Sequence, residues 1–134
     1  MSLKLETSTI RVLGTFERIT KVNAVDCIVT NSYIVFLVDP SKIGQAVGKS
    51  GSMIKDLCRV FNKPIKIFGY HKTPEDMVKS VLPAVTDVEI EDDAMIASVP
   101  LEEKMDVLDK NGKNIRILKD ILKRHFNIKS FRLK

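Results

Sequence analysis

The strongest constraint on this chain of 134 residues is that it nearly repeats itself. With Gly51 laid on Gly112, an ungapped offset of 61 residues, Asp26 meets Asp87, Ile34 meets Met95, Val38 meets Val99 and Val47 meets Leu108. The same offset aligns Lys49 with Lys110, Ile54 with Ile115 and Leu57 with Leu118. Repetition at such a period means one folding unit used twice. The length fits two small domains, and residues 1–70 and 71–134 are expected to be those domains. Each half alone would bury only a modest core. The two are therefore expected to pack closely, Gly69 to Lys72 being too short for a free linker.

Each half reads helix, strand, strand, helix, loop, helix, strand, an α+β pattern. Ser8 or Thr9 can cap a first helix carrying Ile10, Leu13, Phe16 and Ile19 at helical spacing. Ala24–Thr30 and Tyr33–Val38 read as two strands joined by a tight turn at Asn31-Ser32, an antiparallel hairpin. The second of these strands is apolar throughout, so it should be central and covered on both faces. Asp39-Pro40 is the chemistry of a helix start. A helix after Gly51 carries Met53, Ile54, Leu57, Val60 and Phe61 as its core stripe, and residues 64–68 form a third strand. The order restarts at Thr73-Pro74, with Asp76 where a capping-box acid would sit. Strands at 85–91 and 94–99 turn at Asp92-Asp93. A helix from Pro100 to Leu108, a loop at 109–112, a long helix to Phe126 and a strand at 128–133 complete the second half.

The informative stretch is Ile43-Gly44-Gln45-Ala46-Val47-Gly48-Lys49-Ser50-Gly51-Ser52-Met53-Ile54. Glycines let the backbone turn sharply and leave room for a close visitor. The helix that follows aims its free N–H groups and the positive end of its dipole at that visitor, and Lys49 adds a cation. A phosphate is the natural guest. A nucleotide-binding loop would need four residues between the glycines that precede Lys-Ser. Gly44 and Gly48 are separated by three, and a helix rather than a strand leads in. A small nucleotide hydrolase is thereby left as an alternative with the wrong spacing. Helix, Gly-x-x-Gly, helix is instead the layout of a KH domain, which clamps about four nucleotides of single-stranded nucleic acid.

Charge agrees with a polyanionic partner. The net charge is +5, but it is divided unevenly along the chain. Residues 1–70 hold 10 Lys and Arg against 5 Asp and Glu, residues 71–109 hold 3 against 11, and residues 110–134 hold 9 against 1. Both basic clusters begin at a glycine-containing loop between helices, as nucleic-acid binding requires. Cys27 and Cys58 stand far apart with no ligand-spaced His, which reads as buried thiols in a reducing cytoplasm. No metal, cofactor or small-molecule substrate is expected. His71 and His125 lack the neighbours of a catalytic group, so no catalytic residue is assigned. No apolar run approaches the roughly 18 residues of a membrane span.

The stretch at 43–54, with Leu57, Val60-Phe61-Asn62-Lys63-Pro64-Ile65-Lys66-Ile67 and His71-Lys72-Thr73-Pro74-Glu75-Asp76-Met77, resembles the tandem type II KH module of the NusA transcription factors. Lys123-Arg124-His125-Phe126-Asn127-Ile128 resembles the short archaeal form. The resemblance covers about residues 5 to 134. It implies two type II KH units, each helix-β-β-α-α-β with a three-stranded sheet covered by helices. It also implies a cytoplasmic, non-enzymatic RNA-binding factor of transcription elongation, termination or antitermination. Single-stranded RNA is the partner so implied, with RNA polymerase a candidate second one; a KH protein binding ribosomal RNA is the neighbouring alternative. Gly48, Lys49, Ser50 and Gly51 would hold the sugar-phosphate backbone. Bases would lie over Ile43, Val47, Ile54 and the strand near 65–68, with Lys42, Lys55, Arg59 and Lys66 giving the salt-sensitive attraction. In the second unit Asp109 stands where the first glycine should be, and like charges at contact repel. Lys110, Asn111, Gly112, Lys113 and Arg116 are therefore expected to form a weaker, auxiliary surface.

Overall fold

The computed structural model describes residues 3–110 and 112–134. The chain divides into two compact units, Met1–Tyr70 and His71–Lys134.

In the first unit a helix α1 (Leu3–Thr20) leads to strands β1 (Ala24–Val29) and β2 (Ile34–Val38). A 3₁₀ turn (Pro40–Lys42) then enters helix α2 (Ile43–Val47), and a second one (Lys49–Gly51) enters α3 (Ser52–Phe61), which returns to β3 (Ile65–Gly69). β1 pairs antiparallel with β2, and β3 joins the other edge of β2 in parallel. β2 is therefore central, and all five of its residues are buried, as an apolar run without alternation demands. Ile34, Phe36 and Val38 of β2 form a core with Cys27, Ile65, Phe16 of α1, Ala46 of α2 and Leu57 of α3. The Phe16 ring stacks on Phe36 at 4.1 Å between centroids, and Phe61 is a third ring 6.0 Å from Phe36. Burying side chains of this size stabilises by about 1.5–3 kcal/mol each.

Local chemistry sets the ends of these elements. The buried Thr20 hydroxyl donates to the Phe16 carbonyl at 2.8 Å and accepts the Val22 N–H at 3.1 Å, closing α1. The Asp39 carboxylate accepts the Ser41 N–H at 2.9 Å, with Pro40 next in line. That is the expected cap, although the turn it starts is 3₁₀ and becomes α only at Ile43. Asn62, left-handed at φ 55°, ends α3.

The second unit repeats the order: α4 (Pro74–Val81), β4 (Asp87–Glu91), β5 (Ala94–Ser98), α5 (Leu101–Lys110), α6 (Gly112–Phe126) and β6 (Ser130–Leu133). Its sheet runs β4-β5-β6 with the same strand senses. Thr73 caps α4 by accepting the Asp76 N–H at 3.2 Å, and Asp92 turns the hairpin at φ 54°. The two hairpins share one register. Cys27 opposite Phe36 and Val29 opposite Ile34 become Val88 opposite Ala97 and Ile90 opposite Met95. The last strands shift, because α6 has 15 residues where α3 has 10. Among the described residues the result is a mixed α+β architecture of two three-stranded sheets and six α-helices, consistent with tandem KH-like units.

Three expectations change. The first helix starts at Leu3, so Ser8 and Thr9 lie inside it and not at its N-terminus. Val60 is 57% exposed rather than core, because it stands on the flank of α3 shared with Asp56. Finally, α5 continues through Asp109 and Lys110 where a loop was expected. Among the described residues, no helix is long and apolar enough to cross a membrane.

Candidate functional site

The corner at Gly48–Gly51 is reached from a helix, since the 3₁₀ turn and α2 separate it from β2. The strand-to-loop entry of a nucleotide-binding loop is therefore not the geometry here. Gly48 takes φ 80° and ψ 166°, Ser50 φ 55° and ψ 31°, and Gly51 φ 75° and ψ 17°. Three left-handed residues in four reverse the chain within a single turn. A Cβ on Gly48 would stand 2.7 Å from the backbone nitrogen of Met53, whereas one on Gly51 would meet nothing within 4 Å. Gly48 is thus demanded by both conformation and contact, and Gly51 by conformation alone.

Turn bonds fix this shape. The Gly48 N–H donates to the Gly44 carbonyl at 2.9 Å and the Gly51 N–H to the Gly48 carbonyl at 3.1 Å. The Ser52 N–H donates to the Lys49 carbonyl. The amides of Gly48 and Gly51 are therefore occupied by the corner itself. Those of Lys49 and Ser50 lie outside these turn bonds, on residues whose side chains are exposed. Gln45 positions α2 beneath the corner, its Nε2 donating to the Thr20 and Lys21 carbonyls at 3.3 and 3.4 Å. Sequence reasoning missed Gln45, because the carbonyls it serves are presented only once Lys21 adopts φ 62°.

Electrostatics favour an anion at this point. Helices α4 and α5 carry acids in their first turns, Glu75 and Asp76 in one and Glu102 and Glu103 in the other. Helix α3 has none. Its positive N-terminus is left to whatever anion arrives from outside; Lys49 and Lys55, on either side of it in the chain, are exposed, as is Lys42 at the far end of α2.

The remaining candidates divide. Ile43, Val47 and Ile54 are half-buried on the two helices that flank the corner, and Ile43 packs with Ile67 on the core. Lys66 and Phe68 alternate to the other face of β3 from Ile65 and Ile67, so Lys66 is not brought beside α2. Arg59 forms an ion pair with Asp56 and, with Ile19 and Val60, lines a shallow depression. Of the two thiols, Cys27 is buried and Cys58 half-buried. The second corner differs from the first. Asp109 and Lys110 lie in the last turn of α5, Asn111 lies outside the described residues, and Gly112 opens α6 without a left-handed φ. Lys113 and Arg116 are exposed on α6.

No family model matches the chain. It is 27% identical over 135 residues to the probable transcription termination protein NusA of Methanocaldococcus jannaschii, covering 94% of this chain and 72% of that protein. The protein of the same name from Halobacterium salinarum is 28% identical over 138 residues, covering 99% of both chains. That from Thermoplasma acidophilum is 25% identical, covering 98% of this chain and 96% of the other. The crystal structure of APE1850 superposes with a TM-score of 0.84 at 27% identity, over 96% of this chain and 99% of that one. With this likeness running through nearly all of its length, the chain is a NusA-like protein of the archaeal kind.

Proposed function

We propose that this NusA-like chain is a cytoplasmic transcription factor that grips single-stranded RNA at Gly48–Gly51. The observation that carries this reading is the corner itself: left-handed residues at 48, 50 and 51 beside a helix start with no carboxylate of its own. The N–H groups and side chains of Lys49 and Ser50 hold the sugar-phosphate backbone, and bases lie over Val47 and Ile54, which keep apolar surface open to solvent. The order helix, strand, strand, helix, helix, strand supports reading each half as a type II KH unit. The relatives' shared name supports a role in termination or antitermination. RNA polymerase is the further partner that such a role calls for. The first unit is the primary site, because Gly112, which stands at the place of Gly51, lacks its left-handed φ.

Changing Lys49 and Ser50 both to Asp is expected to abolish RNA binding at low salt. Two charge-assisted contacts would become repulsions, a loss of at least about 100-fold, with the circular dichroism of the fold unchanged. Unaltered affinity in a filter-binding titration would remove the corner from the site. The matching change at Lys110 and Asn111 is expected to cost less than about threefold, and equal losses would refute the primary and auxiliary ranking.

A further inference from the structure

The second sheet leaves one of its faces uncovered. In the first unit all five residues of the central strand β2 are buried. Its counterpart β5 alternates instead, with Met95 and Ala97 buried and Ala94, Ile96 and Ser98 half-buried. Pleating puts those last three on the face opposite the core. The register then sets their neighbours: Ile96 lies between Glu89 and Arg132, while Glu91 lies across from Ala94 and Asp87 from Ser98. The Lys134 N–H donates to the Ala97 carbonyl at 2.7 Å, so the pairing of β6 extends to that residue. The face is thereby sorted by sign. One edge is an exposed acidic column of Asp87, Glu89 and Glu91, and the other an exposed basic column of Arg132 and Lys134. Glu89, Ile96, Arg132 and Lys134 line one depression, joined by Lys104 of α5. A solvated sheet gains from opposite charges on neighbouring strands, but here the uncharged β5 holds the two signs about 10 Å apart. None of the five charged groups has an ion-pair partner among the described residues.

We propose that this face is where two copies of the chain meet. Laid face to face about a twofold axis parallel to β5, each acidic column falls opposite the basic column of the other copy, and Ile96 meets its own counterpart on the axis. A twofold axis across the strands would set acid against acid, so the pattern selects the first arrangement. Packed sheets stand about 10 Å apart with strand directions nearly aligned, within the combined reach of a glutamate and an arginine. RNA is a poor occupant, because the acidic column repels it. Three strands of four or five residues span roughly 15 Å by 17 Å, less than a standard interface. The attraction comes mainly from exposed charge pairs, which salt screens. The association is therefore weak and salt-sensitive, with a dissociation constant on the order of 100 μM at low salt. It is independent of the RNA reading, since it uses no residue of the corner at Gly48–Gly51.

Sedimentation velocity of the full chain between about 10 μM and about 1 mM tests this. A concentration-dependent dimer is expected at about 50 mM salt, and a monomer at about 0.5 M. The E89K/E91K variant turns the acidic column basic, and R132E/K134E turns the basic column acidic. Each alone is expected to stay monomeric over the whole range, and the two mixed in equal amounts are expected to form a heterodimer. I96R, which places like charges on the axis and alters neither column, is expected to be monomeric as well. A wild-type chain that remains monomeric at the highest concentration overturns the proposal. So does a dimer that either reversal leaves intact, or two folded reversal variants that fail to associate when mixed. Should circular dichroism show that a reversal unfolds the chain, I96R decides: loss of the dimer supports the face, and a dimer that survives overturns it.

Discussion

A side chain at residue 48 has nowhere to go. At φ 80° and ψ 166° the backbone occupies a region that essentially only glycine enters, and the missing Cβ would press on the Met53 nitrogen at 2.7 Å. Gly48→Ala is therefore expected to cost about 3 kcal/mol, strain and overpacking together. Gly51→Ala meets open space and only a left-handed φ, so it should cost about 1 kcal/mol. Urea midpoints of the two variants check this, and a larger loss at Gly51 would contradict it. The glycines were legible as a sharp backbone corner because their chemistry is local. The use of the Gly48 and Gly51 amides inside the turn was not legible. It depends on dihedral angles at Ser50, a residue whose type gives no warning of φ 55°. The placements of Arg59 and Lys66 were likewise hidden, since one turns on its pairing with Asp56 and the other on the phase of β3.

At the scale of elements, caps and hairpins carry most of the information. Thr73 supplies the only oxygen described as accepting the Asp76 amide at the start of α4. Thr73→Ala should lower stability by about 1 kcal/mol in chemical denaturation and leave RNA affinity untouched. A change in affinity, or no change in stability, would show that the cap plays another part. The hairpins were readable because Asn31-Ser32 and Asp92-Asp93 interrupt strand-like runs, and the 61-residue offset seen in the sequence also relates their registers. The boundary between α5 and α6 was misread because the first unit supplied the template. Asp109, unlike Gly48, does not require a left-handed backbone, and α5 runs on through it. The start of α1 at Leu3 was missed for a related reason: Ser and Thr make good caps but are tolerated inside a helix, so their presence does not fix an end.

Across the whole molecule, duplication kept the scaffold and released the surface. Between the two units the hairpin register is the same, yet only one corner is opened by left-handed glycines. The strongly acidic segment 71–109 and the basic segment 110–134 belong to a single unit, with the acids on α4, β4 and α5 and the cations on α6 and β6.

The most direct measurement is a titration of the isotopically labelled chain with a short single-stranded oligoribonucleotide, followed through the backbone amide resonances. The largest shifts are predicted at Lys49, Ser50 and the first turn of α3, with smaller ones at Val47 and Ile54. Saturable binding that moves other amides and leaves Lys49 and Ser50 in place would contradict the account.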